Sequence, residues 1–291
     1  MPYKYKVYKL IFAFFSFIAM SLVYILLGFI LYKGFSFISF ELIFSDTNAI
    51  DALLLKQRVF DGIFPAIIGT FMLIILALSF SLIFGFASGI YLSIYAKNST
   101  KRIVNLCFEL LASVPSILIG LFFLLLSIYL HDKFQANFMP SLLLASLALG
   151  ILIMPYLVQN TRLSLDNIPK DIKQIGINLG LSPTQNLFKV LLPYCSKELL
   201  SGIFLSLGRA CEDTAVIMLT GAVASAGIAA SVFDRFEALP FYIYYLSTNY
   251  ADEKELSQAF AASLILLFIA LFLFLLTKII QKKFRNYYGY N

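Results

Sequence analysis

A chain of 291 residues that is 60% hydrophobic and only 13% charged is too apolar for a soluble globular domain. Its three cysteines, Cys107, Cys195 and Cys211, lie far apart with no CxxC pair, and the single His131 cannot build a zinc site. A net charge of +6 raises nucleic acid as a partner, but the distribution of that charge along the chain gives it another meaning.

The basic start MPYKYKVYKL precedes an apolar block at 10–32. That block is long enough to span a bilayer and lacks a small-x-small cleavage site, so it reads as an uncleaved first helix rather than a signal peptide. Residues 33–62 carry Glu41, Asp46, Asp51 and Asp61 against Lys33, Lys56 and Arg58, and read as an extramembrane loop. Further membrane helices are expected at 65–95, 103–129, 138–159, 198–223 and 256–280, with Pro115 inside the third and Pro155 inside the fourth. The fold class is all-α: one polytopic transmembrane domain over 1–291 with about six spans.

Six spans place both termini on one side. The N-terminus, the 97–102 turn, the 161–197 segment and the tail carry 15 Lys and Arg; the opposite loops carry 6. By the positive-inside rule both termini and the 161–197 segment are expected in the cytoplasm. The net charge is then a matter of topology, and nucleic acid is not an expected partner.

The 161–197 segment reads as a capped helical hairpin. Ile172, Ile175, Gly176 and Leu179 form an apolar stripe at i, i+3, i+4 and i+7. Pro169 and Asp171 suit a helix start, and Gly180 suits a stop. Ser182 with Gln185 makes a capping-box pair around Pro183. The stripe could pack on the membrane domain or fill a groove on a partner.

Arg209, Glu212 and Asp213 stand inside the expected fifth span. Either carboxylate can pair with the arginine, at i+3 or i+4. Three readings stand: a self-neutralising salt bridge, a gate that breaks and re-forms, and a guanidinium fork that meets an oxyanion in transit. Gly202, Ser206 and Ala210 form a small-residue ridge for close helix packing, suited to an interface with another subunit. Thr214 and Thr220 can offer hydroxyls to a pathway or bond their own helix carbonyls. Glu109 reads as a residue that snorkels to the interface.

These two stretches carry a family resemblance. The hairpin is similar to the EAAxxxG–nine residues–IxLP coupling loop of binding-protein-dependent ABC importer permeases of type I. Gln174-Ile175-Gly176 stands at the EAA position, Gly180 at the motif glycine, and Val190-Leu191-Leu192-Pro193 at IxLP. The spacing is intact; the EAA triplet is not matched. Arg209-Ala210-Cys211-Glu212-Asp213-Thr214-Ala215-Val216 resembles the RAxGETAP segment of Pst-type phosphate permeases, PstA subunits above all, with departures at Glu212, Asp213 and Val216. Gly62 to Thr70 and Val114 to Ile117 with Gly120 add to the likeness.

The resemblance implies a non-enzymatic permease subunit of a phosphate importer in a bacterial inner membrane, surrounded by lipid. Its implied coupling residues are Gln174, Ile175, Gly176, Gly180, Leu192 and Pro193; its implied pathway or gate residues are Arg209, Glu212, Asp213 and Thr214. The implied partners are a second, PstC-like permease, two PstB-like ATPase subunits that use ATP with Mg, and a PstS-like periplasmic binding protein. No GxxxxGK[ST] occurs in this chain, so no cofactor is expected on it. Permeases for sulfate, molybdate or tungstate, an ion-gradient transporter and a non-transporting scaffold remain alternatives.

Overall fold

The computed structural model describes residues 3–45, 47, 62–134 and 139–288. Asp46, Asp51, Asp61, Lys56 and Arg58 lie outside them. The chain is helical, and among the described residues the sole β-type pairing is an isolated bridge between Ala222 and Phe236.

Helix α1 (Tyr3–Gly34) exposes Phe12, Phe17, Leu22 and Ile25 all round. Such a helix is stable only where the surroundings are as apolar as its side chains. It meets the body near its C-terminal end, where Phe29 stacks edge-on with Phe260 at 5.6 Å. Helix α2 (Phe40–Phe44) is capped by Ser39, whose Oγ accepts the Leu42 N–H at 3.1 Å.

Helix α3 (Phe64–Ile90) runs on through a π turn, Tyr91–Tyr95. It packs along its length on α6 (Leu142–Asp166). The approach is close because α3 is small where α6 is large: a Cβ on Gly85 would stand 2.8 Å from the Leu157 Cβ, and one on Gly89 2.6 Å from the Thr161 Cβ. Leu73, Ile74, Ala77, Leu149 and Ile153 form the buried core between them, with Phe236 inserted from a distant loop.

The expected third span, 103–129, is two helices instead: α4 (Asn98–Ser113) and α5 (Ser116–Phe134). The break falls at Val114, whose ψ of 129° is extended. Pro115 disfavours the helical region for the residue before it. Helix α4 begins inside what the sequence suggested was a tight basic turn, and Glu109 on it is exposed. Helix α6 extends past the expected end at 159; the expected start at 138 lies outside the described residues.

Next come α7 (Lys170–Asn178) and α8 (Pro183–Tyr194), the latter through a π turn at Leu187–Leu191. A 70° bend leads into α9 (Ser196–Glu212). The expected fifth span, 198–223, stops at Glu212 and resumes as α10 (Ala215–Thr220). Asp213 causes the stop. Its backbone is extended, with ψ 115°, and its Oδ1 accepts the Val216 N–H at 2.9 Å. A short acid that bonds nearby backbone competes with helix continuation. Helices α11 (Leu239–Asn249) and α12 (Glu253–Tyr288) complete the chain.

Among the described residues five helices are long and apolar enough to cross a membrane, or six if the bent α8–α9 pair counts as one. The first turn of α6 is satisfied by chain from after α10: Ser141, Leu142 and Leu143 N–H groups donate to the carbonyls of Thr220, Asp234 and Val232 at 2.7–2.9 Å. These are helix N-terminal donors with no partner inside their own helix. Gly221 makes the turn that delivers this cap. Its φ is +151°, and a Cβ there would stand 2.6 Å from the Ser141 nitrogen. We expect Gly221→Val to lower the unfolding midpoint in detergent by roughly 5 °C or more, read by thermal scanning at constant pH.

Candidate functional site

Two regions carry the residues that the sequence singled out. The first is the α7–α8 hairpin. Gly180, at φ +78°, sits where the chain reverses, and the Leu181 N–H donates to the Gly176 carbonyl at 2.9 Å, closing the end of α7. The expected capping box is present: Ser182 N–H donates to Gln185 Oε1 at 3.0 Å, and Gln185 N–H donates to Ser182 Oγ at 3.3 Å.

What holds the two arms together is a residue that sequence reasoning missed. Asn186 is 4% exposed, and its Nδ2 donates to the Lys173 carbonyl at 2.9 Å. Its side chain lies flat on Gly176; a Cβ there would stand 2.8 Å from the Asn186 Cγ. The signal was a small residue in the middle of an apolar stripe, opposite an asparagine inside the next helix.

The stripe splits. Ile172 packs inward with Leu165, Ile168, Leu187 and Leu191. Ile175, Ile177 and Leu179 are exposed, Leu179 by 76%, and Gln174 is exposed beside them. Leu192 and Pro193 are half-buried at the foot of the hairpin, lining an apolar cleft of about 480 Å³ with Phe86, Thr161 and Leu199. The hairpin is thus anchored along one face and presents an apolar tip away from the bundle.

The second region is the end of α9. Arg209 Nη1 donates to Glu212 Oε1 at 2.8 Å, and its guanidinium stands over the Tyr156 ring at 5.4 Å. The side chains are 50% and 62% exposed, and they border an open cleft of about 440 Å³ with Phe204, Gly208 and Phe274. The arginine occupies the last turn of α9, where the helix dipole favours a cation.

The expected cluster divides here. Glu212 is the ion-pair partner, whereas Asp213 caps α10 and has left the helical i+4 register that would bring it to Arg209. Thr214 opens α10, and its carbonyl accepts the Met218 N–H at 3.0 Å. Thr220 Oγ1 donates to the Val216 carbonyl of its own helix at 2.8 Å. The ridge Gly202, Ser206 and Ala210 is buried against this chain's own α6, with Gly202 on Asn160, so it serves internal packing. The face left open carries Leu205, Arg209 and Glu212. Helix α10 touches α5 closely, where a Cβ on Gly120 would stand 3.0 Å from the Val216 Cα.

Breaking this ion pair would free a planar guanidinium with several N–H donors, a geometry suited to a tetrahedral oxyanion.

The fold is that of a solved transporter: a chain of the MetNI methionine ABC transporter, in inward-facing conformations, aligns with a TM-score of 0.58 at 16% identity, over 82% of this chain and 99% of that one. In sequence, a probable phosphate transport system permease protein PstA from Methanocaldococcus jannaschii is 28% identical over 213 residues, 73% of each chain. A phosphate transport system permease protein PstA from Mycobacterium leprae is 28% identical over 65% of this chain and 60% of its own. A phosphate transport system permease protein PstC from Pasteurella multocida is 28% identical over 71% and 69%. The model of the binding-protein-dependent transport system inner membrane component matches residues 81–286, from mid-α3 to the end of α12 and across both regions just described. A multi-pass helical bundle with an anchored hairpin between its spans, matched over most of its length, belongs to that family of permease subunits.

Proposed function

We propose that this chain is the PstA-like permease subunit of an ATP-driven importer of inorganic phosphate in a bacterial inner membrane. The observation that carries the reading is the hairpin: a rigid, doubly capped element whose apolar tip, Ile175, Ile177 and Leu179, faces away from its own bundle. Such a tip fits a groove on a cytoplasmic ATPase subunit, which supplies the ATP and Mg chemistry that this chain has no phosphate-binding loop to perform. The relatives named as phosphate permeases support the anion.

The open face of α9, with Arg209 and Glu212, meets a second, PstC-like permease across the pathway. A PstS-like binding protein delivers the anion on the opposite side. Movement of the hairpin by two PstB-like ATPases tilts α9 through the 70° bend. The Arg209–Glu212 pair opens in one state and contacts the anion in transit, weakly enough for release.

The test is reconstitution of the chain with its neighbouring transport subunits in vesicles. Phosphate with its binding protein should stimulate ATP hydrolysis and uptake. Arg209→Ala should cut uptake about tenfold, the loss expected when charge-assisted hydrogen bonds disappear. If no ATPase subunit associates, the importer reading fails. If sulfate, molybdate or tungstate stimulates instead, the anion is wrong and the departures at Glu212 and Asp213 become its cause.

A further inference from the structure

Asp166, the last residue of α6, bonds to three other elements at once. Its Oδ2 pairs with Lys101 Nζ of α4 at 2.7 Å. Its Oδ1 accepts the Ser93 hydroxyl, in the π turn that ends α3, at 2.7 Å. Its backbone carbonyl accepts Lys173 Nζ, from α7 of the hairpin, at 3.0 Å. Asp166 thus links the hairpin to both α3 and α4. The Asp166 and Lys101 side chains are 30% and 28% exposed, so the ion pair itself contributes little to stability.

The hairpin has apolar and covalent attachments as well. Ile172 and Leu187 pack on Leu165 and Ile168, next to Asp166 itself, with Ile90 of α3 against the same cluster, and the α8 foot continues into α9. Displacement of the tip therefore reaches α9 through the chain and touches α3 through the Ile90 side chain, while the polar contacts of Asp166 tie the hairpin to both α3 and α4. Hydrogen bonds and an ion pair have defined geometry, which an apolar contact lacks, so they transmit a displacement rather than let it slip.

We propose that Asp166 is the joint that makes α3 and α4 follow the coupling hairpin, a positioning residue for transport that touches neither the anion nor ATP. This rests on the permease reading above. The chain of contacts runs Lys173, Asp166, then Ser93 and Lys101. Breaking it at either end should have the same consequence: the ATPase still docks on the tip, but its cycle no longer moves the whole bundle.

Two measurements on the full chain decide this. In the first, vesicles carrying the complete complex are assayed for phosphate uptake per ATP hydrolysed. Asp166→Ala and Lys173→Ala should each lower that ratio about fivefold, a typical coupling free energy, with the unfolding midpoint unchanged. The double variant should be no worse than either single one, because both cut the same path. The swap Lys101→Asp with Asp166→Lys should restore the ratio. Parallel loss of uptake and hydrolysis, an unchanged ratio, or a loss that follows the midpoint would overturn the joint.

The second measurement needs no ATPase. One nitroxide is attached at the exposed native Cys107 on α4 and another at Thr184→Cys on the exposed start of α8, while the buried Cys195 and Cys211 stay unlabelled. Asp166→Ala should broaden the inter-label distance distribution about twofold, since α4 and the hairpin then sample independent positions. The swap should narrow it again. An unchanged distribution overturns the joint. If the wild-type complex fails to transport phosphate, the functional reading falls while the distance arm still decides the joint.

Discussion

Gly176→Val should uncouple the transporter more severely than Gly180→Ala at the better-matched motif glycine. A side chain at 176 drives into Asn186, whose Cγ would stand 2.8 Å from the new Cβ and whose amide holds the Lys173 carbonyl. Asn186 cannot move aside without leaving that carbonyl unpaired, and its own Oδ1 is already buried without a partner. Overpacking together with a lost buried hydrogen bond amounts to about 2–5 kcal/mol, enough to separate the two arms. Uptake should fall more than tenfold, and limited proteolysis should cut first between 176 and 186. Gly180→Ala is milder, because nothing lies within 4 Å of its Cβ position and only the left-handed φ of +78° opposes the side chain. That strain is about 1–2 kcal/mol. Equal effects of the two substitutions on uptake would show that packing of Asn186 on Gly176 does not hold the hairpin.

Glu237 should make the chain lose stability as pH rises from about 4.5 to neutrality. It lies between the spans, in the segment that caps α6, and is 3% exposed. Burial raises its carboxyl to about 7, against the pull of the Gly227 N–H, which donates to Oε1 at 2.7 Å, and of the Ala226 N–H. Arg235, two residues before it, is exposed and does not neutralise it. The ordinary carboxyl value of 4.5 applies to the unfolded chain, so between 4.5 and about 7 the native state holds the extra proton. Stability is therefore greatest at the acid end of that window and falls until the native carboxyl is ionised. The loss is on the order of 3 kcal/mol. Glu237→Gln should flatten the profile, with an unfolding midpoint nearly constant from pH 5 to 8 where the wild type drops by several degrees. The wild type and the variant falling in parallel would remove Glu237 as the source of the slope.

The same segment shows why position in the sequence did not reveal its importance. Phe236 is fully buried among Leu73, Ile74 and Leu149, and the Glu237 backbone lies over Gly69 on α3. The Leu239 N–H closes the arrangement on Thr70 Oγ1 at 2.9 Å. Read as a line of residues, 224–255 is a polar loop with scattered aromatics. Its role as the lid on the first turn of α6 depends on contacts between residues about 90 positions apart, and hydrophobic periodicity carries no information about such contacts.

Composition and local chemistry alone determined the all-α membrane class, the capping box at Ser182 and Gln185, the stop at Gly180 and the pairing of Arg209 with one of the two carboxylates that follow it. Each follows from interactions within a few residues or from the bilayer's demand for apolar length. The tertiary structure decided what local rules left open. Pro115 broke a span, with Val114 before it extended, whereas Pro155 sits inside an unbroken α6, an outcome that local rules left open. Asp213 caps α10 here instead of pairing with Arg209, in the stretch where the chain turns towards α5 and Ser141. The ridge at Gly202, Ser206 and Ala210 turned inward to α6, which left Arg209 and Glu212 on the open side. A helix face is legible in sequence as small, apolar or charged; which neighbour it meets is set by the packing of the whole bundle.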